Sequence, residues 1–140
     1  MFKRSTLFFG GFGLILLLWA LHLSALFFYL YWSYWWFDIV MHFTTGLAGG
    51  LIVYWVISEF NSKYFPAEPR AAYYFVTVVV CVLILAMFWE ALEFLTDQTQ
   101  SHEGYLLDSL IDTTVALIGS CIAVFIGVKK TLPAIPQNHA

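Results

Sequence analysis

Polar positions are so sparse in four stretches of this chain, at about 7–31, 37–57, 72–96 and 105–128, that each reads as one apolar run. Crossing a hydrocarbon core about 30 Å thick takes roughly 20 helical residues, a length that all four runs reach. Inside a bilayer every backbone polar group needs an internal partner, so helices are the expected form. The pattern therefore predicts an all-α membrane protein, a single four-transmembrane-helix bundle over residues 1–130. Residues 131–140, with Pro133 and Pro136, read as a disordered cytoplasmic tail. The stretch from Ser58 to Arg70 holds Pro66 and Pro69 and reads as a turn-rich connector, while 32–36 and 97–104 are short links. The amino terminus imitates a signal peptide, but its apolar run is too long and no small-x-small cleavage site follows, so it reads as an uncleaved first helix.

The exceptions to the apolar pattern fall in three places. The stretch from Trp89 to Asp97 follows sixteen uncharged residues, 73–88, and its spacings of three and four put Glu90, Glu93 and Asp97 on one helix face. Asp38 and His42 share a face in the second run, with Gly46, Gly49 and Gly50 continuing near it. Asp108 and Asp112 do the same in the fourth run, followed by Ala116 and Gly119. Small residues along such faces let two helices approach closely, and Gly10, Gly11 and Gly13 offer the same in the first run. An ionisable residue inside a membrane segment is costly and marks a functional site by default.

Composition removes the soluble alternatives: 61% of residues are hydrophobic, 20% aromatic and 11% charged. Charge then sets the orientation. Lys3, Arg4, Lys63, Arg70, Lys129 and Lys130 all fall on one side of a four-span arrangement, which the positive-inside rule makes the cytoplasm, so both termini are expected there. Of the nine acids only Glu59 and Glu68 share that side; the other seven belong to the outer half. No basic patch points to nucleic acid. Cys81 and Cys121 lie deep in the third and fourth runs without metal-type or disulfide spacing and read as buried small hydrophobes. Trp32, Tyr34, Trp35 and Trp36 at the first outer link fit an aromatic belt at headgroup level.

Depth links the three acidic motifs. At 1.5 Å per residue, His42 lies about 6 Å below Asp38, Glu93 and Glu90 lie about 6 and 10 Å below Asp97, and Asp112 lies about 6 Å below Asp108. Three segments thus bring ionisable groups to one level in the outer leaflet. Six carboxylates and one imidazole sharing a pocket without Lys or Arg need protons or a cation to neutralise them. Oxygen-rich ligand sets suit Mg²⁺, Ca²⁺ or Mn²⁺, and an imidazole among carboxylates also admits Zn²⁺ or Fe. The candidate metal ligands are therefore Asp38, His42, Glu90, Glu93, Asp97, Asp108 and Asp112, with Glu90, Glu93 and Asp112 as candidate catalytic groups. Asp38, Asp97 and Asp108 are equally explained as solvated acids near helix ends, where Asp38 and Asp108 also gain from the helix dipole. His22 reads as bonding to a neighbouring helix, His102 and Glu103 as ordinary loop residues, and Thr44, Thr45, Thr113 and Thr114 as bonding to backbone or to the network.

These motifs resemble a known group. Asp38 and His42 followed by Phe43 and Gly46, then Glu90 with Glu93, then Asp108 and Asp112 followed by Ala116 and Gly119, resemble the YjdF-type inner-membrane proteins. More distantly the order of motifs is similar to the VanZ-like family, in which Asp/His, Glu and Asp motifs stand on successive helices. VanZ-like chains tend to carry Gln and Asn where Glu93 and threonines stand here. The resemblance implies a prokaryotic cell-envelope protein of the inner membrane, in a wider group associated with glycopeptide-antibiotic resistance. Three functions are compatible with the residues. One is metal-dependent hydrolysis or transfer on an envelope lipid or lipid-linked precursor. Another is non-catalytic binding or relay of cations or protons. The third is an accessory protein with a structural polar core. The apolar cytoplasmic half of every run argues against a channel in a monomer.

Overall fold

A computed structural model describes residues 2–64, 70–96 and 104–131, and in them the protein is entirely helical. The helices are α1 (Phe2–Phe27), the single turn α2 (Leu30–Ser33), α3 (Trp35–Tyr64), α4 (Ala71–Thr96) and α5 (Tyr105–Thr131). The four long helices are each long and apolar enough to cross a membrane. α3 is the central element, packing against α1, α4 and α5.

Two boundaries differ from the sequence expectation. The first apolar run does not continue as one helix to residue 31; it ends at Phe27, and Tyr29 takes a left-handed conformation at φ 57°. Such a conformation costs a residue with a β-carbon roughly 1–2 kcal/mol. What holds it is Tyr31, whose hydroxyl lies 2.8 Å from His22 Nδ1 and whose ring meets Phe37 edge-on at 5.2 Å. The second difference is at the other end of α3. Residues 58–64 are helical rather than a connector, because Ser58 and Asn61 extend the buried face begun by Tyr54 at helical spacing. Residues 65–69 of that connector, and residues 132–140, lie outside the described residues.

The tightest contact is between α3 and α5, and glycine makes it. A β-carbon at Gly46 would collide with the Ala116 carbonyl, and one at Gly119 with the Phe43 carbonyl, so each helix lays bare backbone against the other. Gly50 meets Ser120 and Ala123 in the same way, and Gly127 lies under the Tyr54 ring. Small-residue faces of this kind replace the hydrophobic driving force that lipid removes. In α1 only Gly11 serves packing, against Ala48, Leu51 and Ile52; Gly10 and Gly13 have open space beside them. Cys81 and Cys121 are free and half-buried rather than buried.

Away from α2, the core closes on Tyr54 and Tyr74, both buried, with ring centroids 4.8 Å apart. Thr131 donates its hydroxyl to the Gly127 carbonyl, 2.9 Å away, so the Tyr54 hydroxyl is the donor in its 2.5 Å bond to Thr131 Oγ1. Tyr54→Phe should cost about 0.5–1.5 kcal/mol through that bond. Thermal unfolding in detergent would show it as a modest drop in melting temperature, and an unchanged value would remove the bond from the stabilising set.

Candidate functional site

His42 stands two turns into α3 from Trp35 and is buried. Its Nε2 lies 3.4 Å from Asp38 Oδ1, one turn nearer the helix end, and 4.0 Å from Asp112 Oδ2 on α5. Its Nδ1 faces α4 and lies 3.9 Å from Glu90 Oε1. The ligand-type atoms of Asp38, His42 and Asp112 fall within 4.8 Å of one another, and those of His42, Glu90 and Glu93 do the same. His42 thus belongs to two carboxylate groups, and three helices meet at its ring.

Helix packing explains the convergence. Gly46 and Ala116 touch one turn inward from His42 and Asp112 respectively, so the closest approach of α3 and α5 draws those two side chains together. The register of α4 is tied to the start of α5, where the Tyr105 hydroxyl donates to the Glu90 carbonyl at 2.8 Å. The Phe94 and Tyr105 rings pack beside that bond at 5.1 Å.

The spacing is loose for hydrogen bonding, which prefers 2.7–3.2 Å. Glu90 Oε1 is buried and has no hydrogen-bond partner among the described residues, a costly condition for a carboxylate oxygen. Two ligands bonded at about 2.1 Å to one ion can stand as much as about 4.2 Å apart. The 3.4 and 4.0 Å separations from His42 Nε2, and the 3.9 Å separation from Nδ1 on the other side of the ring, each fall within that reach. The donor set of one imidazole and several carboxylates therefore fits a divalent cation. The described basic residues Lys63, Arg70, Lys129 and Lys130 lie at the far ends of their helices and cannot take its place.

A cavity of about 340 Å³ adjoins this cluster, with Asp38, His42 and Glu93 in its lining and apolar side chains of α1, α3 and α4 elsewhere. Among the seven sequence candidates, five meet at His42, and three of these line the cavity. Asp108 sits one turn outward from Asp112 and is exposed, outside both groups. Asp97, like His102 and Glu103, lies outside the described residues. Thr44 and Thr114 bond to the Val40 and Leu110 carbonyls of their own helices.

Two ionisable lining residues lay outside the sequence candidates. His22 bonds to a neighbouring element, as expected, yet it also faces the cavity together with its partner Tyr31. His22 stands five residues from the end of α1, so the depth argument applied to the acids would have found it. Tyr31 carried no signal, because it is brought inward by the break at Tyr29.

Comparison with curated proteins and with solved structures returned no match. One family model, described as predicted membrane protein (DUF2238), matches residues 5–131. That span runs from the first turns of α1 to the last residue of α5 and takes in every residue of the cluster. This multi-pass membrane protein therefore belongs to the DUF2238 family of predicted membrane proteins.

Proposed function

We propose that the protein is a metal-dependent enzyme of the prokaryotic inner membrane, acting by hydrolysis or group transfer on an envelope lipid or lipid-linked precursor. The observation that carries the reading is the buried, unpartnered Glu90 oxygen facing a His42 ring that also serves Asp38 and Asp112. His42 with Glu90 and Glu93 on the Nδ1 side of its ring, or with Asp38 and Asp112 on the Nε2 side, would hold the ion. A divalent cation in such a set would supply Lewis acidity and a means of activating water near neutral pH.

The protein's own groups divide the remaining work. Glu90 and Asp112 are buried and anchor the ring of His42 from two helices. Glu93 is half-buried and lines the cavity, so it is the carboxylate placed to take a proton from an attacking group. The apolar lining excludes water from the rest of the reacting molecule. The basic ends of α3, α4 and α5 lie opposite the cluster, which by the positive-inside rule supports a site in the outer-leaflet half. The likeness of the motif order to YjdF-type and VanZ-like chains supports an envelope role.

Elemental analysis of protein purified in mild detergent without chelator tests the reading, with His42→Ala and Asp112→Asn beside wild type. Near-stoichiometric divalent metal in wild type and its loss from both variants is expected. Metal content should also fall as the buffer is acidified, since protons compete for imidazole and carboxylate ligands. Well-folded wild type that takes up no metal even when Mg²⁺, Mn²⁺, Ca²⁺ and Zn²⁺ are added back would sink the proposal. A proton-sharing structural core would then account for the cluster.

A further inference from the structure

The cavity beside His42 is open on one flank. The backbones of α1 and α4 both approach α3 but not each other. Trp19, Leu85 and Phe88 line the cavity yet keep 54%, 54% and 62% of their surface exposed. In a membrane-spanning bundle, that flank looks onto hydrocarbon. At the polar end the His22 and Trp89 rings, 5.8 Å apart between centroids, bridge the two helices.

Length and polarity narrow the occupant. From Asp38 to Gly49 along α3, and from Val82 to Glu93 along α4, the lining rises about 16 Å. That is about half of a 30 Å hydrocarbon core, the depth of one leaflet. Ionisable groups are confined to one end, where Asp38, His42 and Glu93 stand with the His22–Tyr31 pair. Thr45 apart, the deeper lining is apolar, with Ile15, Leu18 and Val82 around the bare backbone of Gly49.

We propose that this cavity seats one acyl chain of a glycerophospholipid, which enters sideways between α1 and α4 from the leaflet containing the site. The lipid's phosphate-bearing head then lies at the Asp38–His42–Glu93 end. This names the substrate class of the metal site and rests on that reading for the chemistry at the head, not for the seating of the chain. A space one leaflet deep and about 340 Å³ in volume suits a single tail that ends at the bilayer midplane.

Gly49 supplies the test. A β-carbon there meets nothing within 4 Å, so Gly49→Leu fills the seat without pressing on backbone. Gly13→Leu adds the same bulk at an equally open position of α1 outside the cavity lining. Ala86→Leu fills the seat from α4 and guards against a folding defect peculiar to Gly49→Leu. The probe is phosphatidylglycerol carrying a diazirine midway along one acyl chain, in vesicles reconstituted with the full chain. After irradiation, labelled residues are mapped by mass spectrometry.

Label should concentrate at Ile15, Leu18, Val82 and Leu85. Both filling variants should cut it about tenfold, the effect of roughly 1.4 kcal/mol of lost binding, and Gly13→Leu should not. Label spread evenly over the outward faces, or indifferent to both filling variants, overturns the proposal. Stronger competition by unlabelled polyprenyl phosphate than by unlabelled phosphatidylglycerol overturns the assignment to a glycerophospholipid. Metal measured in the same samples separates the two readings. A wild type that labels at these residues without holding an ion keeps the chain seat and removes the metal chemistry.

Discussion

Gly119→Val should cost the bundle more than about 3 kcal/mol, beyond the usual 1–3 kcal/mol of overpacking. Most overpacked sites relax because the obstructing atoms belong to side chains. At Gly119 the obstructing atoms are the Phe43 carbonyl and the Leu47 nitrogen, which are backbone of a neighbouring helix. Relief requires α5 to move off α3, and that movement also breaks the reciprocal contact of Gly46 with the Ala116 carbonyl. The consequence reaches the site, since Asp112 stands two turns from Gly119 on the same helix and meets His42 only while the helices touch. Gly119→Val should therefore retain helical circular dichroism, lose its cooperative melting transition and lose the ability to bind metal. Gly119→Ala should fall between, and Gly49→Ala, which has room for its β-carbon, should melt like wild type. A Gly119→Val protein with wild-type melting would show that the α3–α5 contact is not as close as these helices place it.

The sequence made the membrane helices legible because lipid leaves so few alternatives. Long apolar runs have to be helices, and ionisable residues at matched depth have to face inward. That reasoning reached Asp38, His42, Glu90, Glu93 and Asp112, which the structure brings together. It left Asp108 open between ligand and solvated acid, and the structure has it exposed and outside both groups. It missed the break at Tyr29, where neither glycine nor proline marks the chain and the turn is held by Tyr31 bonding to a histidine nine residues away. It also ended α3 too early, since the polar residues Ser58 and Asn61 look like loop until the helices beside them are known. The cavity was invisible for a different reason. It is defined by the backbones of α1 and α4 staying apart, and a pattern within each helix carries no record of the distance between two of them.

Glu90→Gln gives opposite signs for the two accounts of the polar core. In a core without metal, Glu90 is a buried acid whose Oε1 lacks a hydrogen-bond partner, 3.9 Å from His42 Nδ1. Replacing it by a neutral amide of the same shape then removes the cost of burying a charge without its hydrogen bonds. In a metal site the same change deletes a ligand charge. Wild type should then be stabilised by added metal, by about 2.7 kcal/mol at a concentration 100-fold above the dissociation constant. Chelator should remove that gain. Glu90→Gln should lose most of the metal-linked part and melt at nearly the same temperature with metal or chelator. The decisive comparison is therefore the difference between the two conditions within each protein, because folding defects common to both conditions cancel. If Glu90→Gln melts at or above wild type under all conditions, and neither responds to chelator, the cluster is a structural core. If wild type responds and the variant does not, the unpaired Glu90 oxygen is explained by an ion that the His42 ring and its carboxylates are arranged to hold.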